Sequence, residues 1–268
     1  MMKQYQKTIV LLIACLTAMT FTACEKVIDL KLDAAEPTLV IEANFTDNFV
    51  IQTVSVSQTI AFDKKNQFSP FSGATVFLKE ENGFNIEFKE TKPGVYSTLL
   101  PVNGIPGKKY LLTVKTINQT YTATSVMPQP VEIAALTQTQ LTFFGNKRKY
   151  VQVNYFDPVG IPNYYNSRVF INGVKRDFFF VESDRFNDGK PVINTIFTED
   201  PELVSGDRVK VDFQSIDVNV FKYLFSITQI NGNGGPPTAP ANPDSNFSNG
   251  ALGYFSASAS RTDSLVIK

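Results

Sequence analysis

Phe21-Thr22-Ala23-Cys24 is the tetrapeptide in this chain whose residue types and order prescribe a reaction. A small residue such as Ala23 lets an intramembrane peptidase close on the bond before Cys24, and the thiol can form a thioether with diacylglycerol. The parts such processing needs lie upstream: Lys3 and Lys7 give a positive start, and Ile9 to Ala14 and Leu16 to Ala23 give an apolar stretch. The 16 residues between Lys7 and Cys24 include several Thr and Ala, which is short for a membrane span of about 20 apolar residues. Residues 1–23 therefore read as a lipoprotein signal peptide cut between Ala23 and Cys24, with Cys24 the lipidated residue that carries palmitate or similar chains. Cys15, behind Leu12-Ile13-Ala14, matches the same pattern, but it would leave an apolar core of only about seven residues. Each buried methylene contributes about 0.8 kcal/mol, so two or three acyl chains hold a protein firmly on a bilayer where one holds marginally.

Inventory restricts the rest of the chemistry. There is no histidine, which removes the commonest general base, the commonest zinc ligand and every Ser-His or Cys-His nucleophile. Of the two cysteines, one leaves with the signal and the other is acylated, so no internal disulfide can form. A Ser-Lys pair or a carboxylate pair could act without histidine. Yet S-x-x-K, G-x-S-x-G and a Gly-rich phosphate loop are all missing from the sequence. Asp184-Arg-Phe-Asn-Asp-Gly189 resembles the start of a calcium loop, but Phe186 and Thr195 stand where Asp or Asn and a bidentate Glu belong. It reads as a polar turn. Loss of Lys3 and Lys7 takes the formal net charge from +0 to about −2, with no clustered basic face for nucleic acid. The expectation is a protein that is not an enzyme, holds no cofactor or metal, and does not bind nucleic acid.

The elements that must carry any binding surface are strands. After a tether at 24–37, Thr38 to Phe45, Gln52 to Thr59, Ala74 to Glu80, Phe84 to Glu90, Lys109 to Lys115 and Thr120 to Met127 favour β-branched and aromatic residues. Glu81-Asn82-Gly83 reads as a hairpin turn. Met127-Pro-Gln-Pro130 divides a first sandwich, 38–130, from a second β-rich domain, 131–268. In the second, strands are expected at Tyr150 to Phe156, Tyr164 to Ile171, Asp177 to Val181, Val192 to Phe197 and Arg208 to Ile216. Phe178-Phe-Phe-Val181 reads as a buried strand rather than a stacking platform. At 217–231, Val220, Phe221, Leu224, Phe225 and Ile227 recur at helical spacing, with Asp217 as cap, so a packed helix is expected. The loop 231–250 has almost no apolar side chains and is a candidate contact surface. Leu252 to Ser258 and Ser264 to Ile267 read as closing strands of the second domain.

The fold class expected is all-β: two tandem immunoglobulin-like or prealbumin-like β-sandwiches, one helix in the C-terminal region and a long Gly/Pro/Asn loop. Tyr164, Tyr165 and Tyr254 lie beside turns and could offer rings to a sugar or peptide; with Asn246 and Phe247 of the loop they form the candidate contact surface.

Several phrases occur together: Cys24-Glu-Lys-Val-Ile-Asp-Leu30, Pro37-Thr-Leu-Val-Ile-Glu42, Ser72-Gly-Ala-Thr-Val76, Pro93-Gly-Val-Tyr96, Ala241-Asn-Pro243 and Ser248-Asn-Gly-Ala-Leu-Gly-Tyr-Phe255. On these the chain resembles, over nearly its whole mature length, a Bacteroidota family of outer-membrane lipoproteins known as a domain of unknown function. That resemblance implies a lipid-anchored outer-membrane protein that acts as accessory to a TonB-dependent receptor and binds a small molecule, sugar or peptide; it transfers no catalytic residue. Glu25 is followed by Lys26-Val27-Ile28 rather than by the acidic run of many surface-displayed lipoproteins, which leaves the periplasmic and the surface face both open. Asp263-Ser264-Leu265 is similar to a short O-glycosylation motif and reads more simply as a strand edge. The alternative function is a structural or adhesive cell-surface β-sandwich protein.

Overall fold

The computed structural model describes residues 37–60, 69–198, 202–230 and 242–268. The expectations for Ala23, Cys24, the tether and most of the loop 231–250 fall outside the described residues.

Alternation of apolar and polar residues builds most of the first half. Leu39, Ile41, Ala43 and Phe45 of β1 (Leu39–Thr46) are buried, as are Val54 and Val56 of β2 (Thr53–Gln58), while their neighbours face the other side. There follow β3 (Ser69–Pro70), β4 (Thr75–Glu80), β5 (Asn85–Lys92), β6 (Val95–Ser97), β7 (Lys109–Lys115) and β8 (Thr120–Val126). The turn between β4 and β5 places Asn82 at φ 62°, while Gly83 stays outside the positive-φ region. The second half adds β9 (Ile133–Phe143), β10 (Asn146–Phe156), β11 (Tyr164–Ile171), β12 (Val174–Lys175), β13 (Phe180–Ser183), β14 (Pro191–Ile196) and β15 (Arg208–Ser215), then the helix Val218–Ile230 and β16 (Leu252–Val266).

One continuous path of strands, β12-β11-β15-β16-β1-β2-β6-β5-β4-β7-β8, runs through both halves, and β14-β10-β9 form a separate three-stranded sheet. The result is a mostly β protein with sandwich-like sheets. The first core gathers residues 39–127 and 247–259, including Ile41, Leu78, Tyr110 and Phe255. The second gathers residues 131–213 with Ile267, including Val153, Tyr165, Val211 and Phe213. Met127 belongs to the first and Val131 to the second, so the proline-flanked segment 127–130 lies between the two cores.

Three readings are corrected. The two closing strands are one, β16, and its first half pairs in parallel with β1, from Val40↔Leu252 to Thr46↔Ser258. Only its second half, through Ser215↔Ala259 to Arg208↔Val266, returns to the second region. Gly253 makes the parallel joint possible: its φ is +92°, and a Cβ there would stand 2.0 Å from the Ile41 carbonyl oxygen. The eleven-residue strand β9 was not expected, because Thr137-Gln-Thr-Gln140 is polar on both faces and lies at the edge of its sheet. Finally, the strand placed at Asp177 to Val181 begins only at Phe180, which leaves Phe178 and Phe179 in an irregular segment.

The helix forms as expected. Asp217 Oδ1 accepts from the Asn219 and Val220 amides at 2.8 and 3.1 Å. Val220 and Leu224 are buried with Ile216 in a small third cluster that also takes in Tyr164, Phe179 and Tyr254.

Candidate ligand site

The strands that bury apolar residues on one face align polar ones on the other. β1 and β16 in parallel register set Glu42 beside Tyr254 and Asn44 beside Ser256. β2 adds Ser55 opposite Glu42. Across β15, Gln214 pairs with Ser260 and with Asn166 of β11, and Asp212 pairs with Arg168. This face carries a hydrogen-bonded network: Ser258 donates to Asn44 Oδ1 at 2.9 Å, Asn166 Nδ2 donates to Gln214 Oε1 at 3.3 Å, and Ser260 donates to Asp212.

A recess of about 250 Å³ opens on this face, lined by residues of six segments. Glu42 and Asn44 come from β1, Thr53 and Ser55 from β2, Asn166 and Arg168 from β11, Lys175 from β12, Tyr254 from β16, and Phe178 and Phe179 from the segment before β13. The β11–β12 hairpin turns on Asn172 and Gly173, at φ 51° and 83°, and so brings Lys175 opposite Phe170.

Two features suit this recess to a ligand. Asn166 is only 3 % exposed, and its Oδ1 accepts no hydrogen bond from the protein. A buried acceptor left unpaired costs about 1–3 kcal/mol, which a ligand donor would offset. The charges are also divided: Arg168 lies 3.4 Å from Asp212 and Lys175 is exposed, while Glu42 is the sole carboxylate among the lining residues. The Tyr254 hydroxyl is held protonated, its pKa raised first by burial and then by Glu42. It can therefore donate as well as accept. Its ring lies 5.2 Å from that of Tyr223, whose pKa burial pushes up to about 12.

Of the residues expected to form the contact surface, Tyr254 lines the recess. Tyr164 packs on Phe221 of the helix at 4.9 Å. Tyr165 is 1 % exposed, with its ring 4.9 Å from Tyr155 and 5.0 Å from Phe213, so it presents no face to a ligand. Phe247 is 7 % exposed, within the first core and bridged to Ala123. Asn246 clasps the backbone of Phe255 from both sides, at 2.7 and 2.9 Å. The loop end 246–249 is thus bound to the edge of the first core, further tied by Ser248 to Thr122 and by Asn249 to the Thr120 carbonyl. The Phe178-Phe-Phe-Val181 run is half-buried, touching both the second core and the helix cluster, and two of its rings border the recess. Sequence reasoning missed Asn166, Arg168 and Lys175: only the pairing of distant strands brings them together.

Asp157, Asp184 and Asp188 form the group among the described residues whose carboxylate oxygens approach closely enough for a metal, within 4.8 Å of one another. Each is already engaged by the protein. Asp157 accepts from the Tyr165 hydroxyl at 2.5 Å, Asp184 from the Asn163 amide at 2.7 Å, and Asp188 from the Gly160 amide at 2.7 Å. The turn at Asp184–Gly189 is therefore a clasp between loops, with Asp157, remote in sequence, as its buried partner.

Residues 25–264 match the family described as Domain of unknown function (DUF4249), and the chain belongs to that family. No curated protein matches the chain. Among solved structures, a chain described as "Cytokine receptor complex - Crystal form 1A" is similar at 10 % identity, covering 85 % of this chain and 95 % of that one, with a TM-score of 0.25. An overlap so low carries no argument. No helix among the described residues is long and apolar enough to cross a membrane.

Proposed function

We propose that the chain is a lipid-anchored, non-catalytic binding protein of the outer membrane, accessory to a TonB-dependent uptake system, which holds a small polar ligand in the recess around Asn166 and Arg168. The observation that carries the binding reading is the buried Asn166 Oδ1, an acceptor without a protein donor in a recess that also offers Arg168, Lys175 and Glu42. A fitting ligand brings a hydroxyl or ammonium donor for Asn166 and acceptor oxygens for Arg168 and Lys175, with an apolar edge for Phe178 and Phe179. Glycoside cleavage needs two carboxyl groups about 5–9.5 Å apart, and the recess lining has one, Glu42. The anchoring part of this reading rests on the segment from Lys3 to Cys24, and the uptake part on what the resemblance implies. The reading takes the two cores as tandem immunoglobulin-like or prealbumin-like sandwiches.

The test is gentle detergent extraction of the mature protein, followed by mass spectrometry of the proteins that accompany it. A large β-barrel transporter is the expected companion. Copies of the chain alone would favour the structural or adhesive alternative.

A further inference from the structure

Two loops at one end of the first sandwich expose large apolar side chains that no strand pattern explains. Between β1 and β2, Phe49 is 71 % exposed, with Val50 and Ile51 nearly half exposed. Between β6 and β7, Leu99 and Leu100 are 70 % and 72 % exposed, and Ile105 is exposed as well. The loops are one surface: Val50 and Val102 exchange backbone hydrogen bonds at 3.4 and 3.0 Å, and the Thr98 amide donates to the Gln52 carbonyl at 3.0 Å. Beneath them Gln52 is buried, and its Nε2 donates to the carbonyls of Asn48 and Val102 at 3.1 and 3.0 Å. The apolar residues are thus held outward on a tied scaffold. No charged residue occurs in Asn48 to Ile51 or in Leu99 to Gly107.

We infer that this apolar tip seats in the headgroup boundary of the bilayer that carries the chain's acyl anchor, a second contact that orients the protein on the lipid. The inference rests on the anchored reading above. Three observations select lipid as the occupant. The tip is formed by loop ends bearing branched and aromatic side chains, the kind of apolar surface that enters the interface to a depth of about 5–10 Å. Its lack of charge fits a lipid surface without need of anionic headgroups. The reach is also sufficient: Cys24 lies thirteen residues before Pro37, a contour of at most about 45 Å, and Phe49 lies twelve residues after Pro37, at most about 40 Å. The tether can therefore bring the anchor to the same surface as the tip.

The test uses the acylated mature chain in phosphatidylcholine vesicles with a brominated acyl quencher. Removal of Cys15 with the signal and acylation of Cys24 leave a Leu99→Cys thiol as the single site for a polarity-sensitive fluorophore. Flotation with the vesicles reads the anchor, and quenching reads the tip. The expected result is loss of about half or more of the Leu99→Cys emission, with little change for the same label at the fully exposed Phe144. Adding Phe49→Asp and Leu100→Asp should abolish the quenching while flotation persists, and both side chains are too exposed for the core to depend on them. Flotation without quenching at Leu99 would overturn the tip contact and leave the anchor standing; failure of both would remove the two together. Emission that follows protein concentration rather than quencher would assign the tip to a second copy and equally overturn the inference.

Discussion

Buried tyrosine hydroxyls in the two cores are satisfied by different kinds of partner. In the first, Tyr96 accepts from the Ala74 amide and donates to the Phe71 carbonyl, both at 3.0 Å, and Tyr110 accepts from the Ile105 amide at 2.7 Å. In the second, Tyr165 donates to Asp157, which is 0 % exposed, and Tyr155 donates at 3.5 Å to Glu182. Burial pushes the Glu182 carboxyl up to about 7, and raises the hydroxyl pKa of Tyr155 and Tyr165 by burial with help from these acids. Backbone partners cannot titrate, whereas carboxylates can. The tyrosine hydroxyls of the first core are therefore held by groups that do not titrate, and the second core, whose strand β11 also supplies Asn166 and Arg168 to the recess, holds its own against carboxylates at a cost in stability. Polar groups retained under such a cost are where binding chemistry is most economically sought.

Gly253→Ala should have the largest effect, since its Cβ would collide with the Ile41 carbonyl at a positive φ in the strand both cores share. A loss of about 4 kcal/mol or more, read by chemical denaturation, is expected. A smaller or local loss would show that the cores do not depend on that joint. Next, Tyr165→Phe should cost about 2–3 kcal/mol by leaving the buried Asp157 short of a donor, against about 1 kcal/mol for Tyr110→Phe. Equal costs for the two would erase the contrast between the cores.

Glu182 gives the pH signature. Its folded pKa lies above the ordinary value of 4.5, so its favourable contribution is complete below about 4.5 and is lost as pH rises through about 7. Glu182→Gln should therefore flatten the stability profile between pH 5 and 8 and stabilise the protein by about 2 kcal/mol at the upper end. Thermal melts across that range would show it. Asp217→Ala should lose about 1 kcal/mol, because the helix cap is removed along with the acceptor for Ser125. Asn44→Ala, at the recess edge, should cost about 0.5–1 kcal/mol, because it takes the acceptor from the buried Ser258 hydroxyl.

What the sequence made legible follows the same division. Strands such as Lys109–Lys115 and Tyr164–Ile171 could be read because alternation reports which face is buried. The cap at Asp217 was readable from local chemistry. Strand β9 was hidden because an edge strand of Thr and Gln has no apolar face to report. The recess was hidden for a different reason. Glu42 and Asn166 are 124 positions apart in the sequence, and it is the insertion of β16 between β15 and β1 that assembles their common face. Tyr254 was noticed for its turn, and its role depends on that insertion too.

Whether the recess around Asn166 holds a small ligand is read out by native mass spectrometry of the protein purified from its native source in mild detergent. The wild type should carry a non-covalent small-molecule mass, and Asn166→Leu combined with Lys175→Ala should lose it while Tyr110→Phe keeps it. A bare wild type, or the same adduct on all three proteins, would contradict the account.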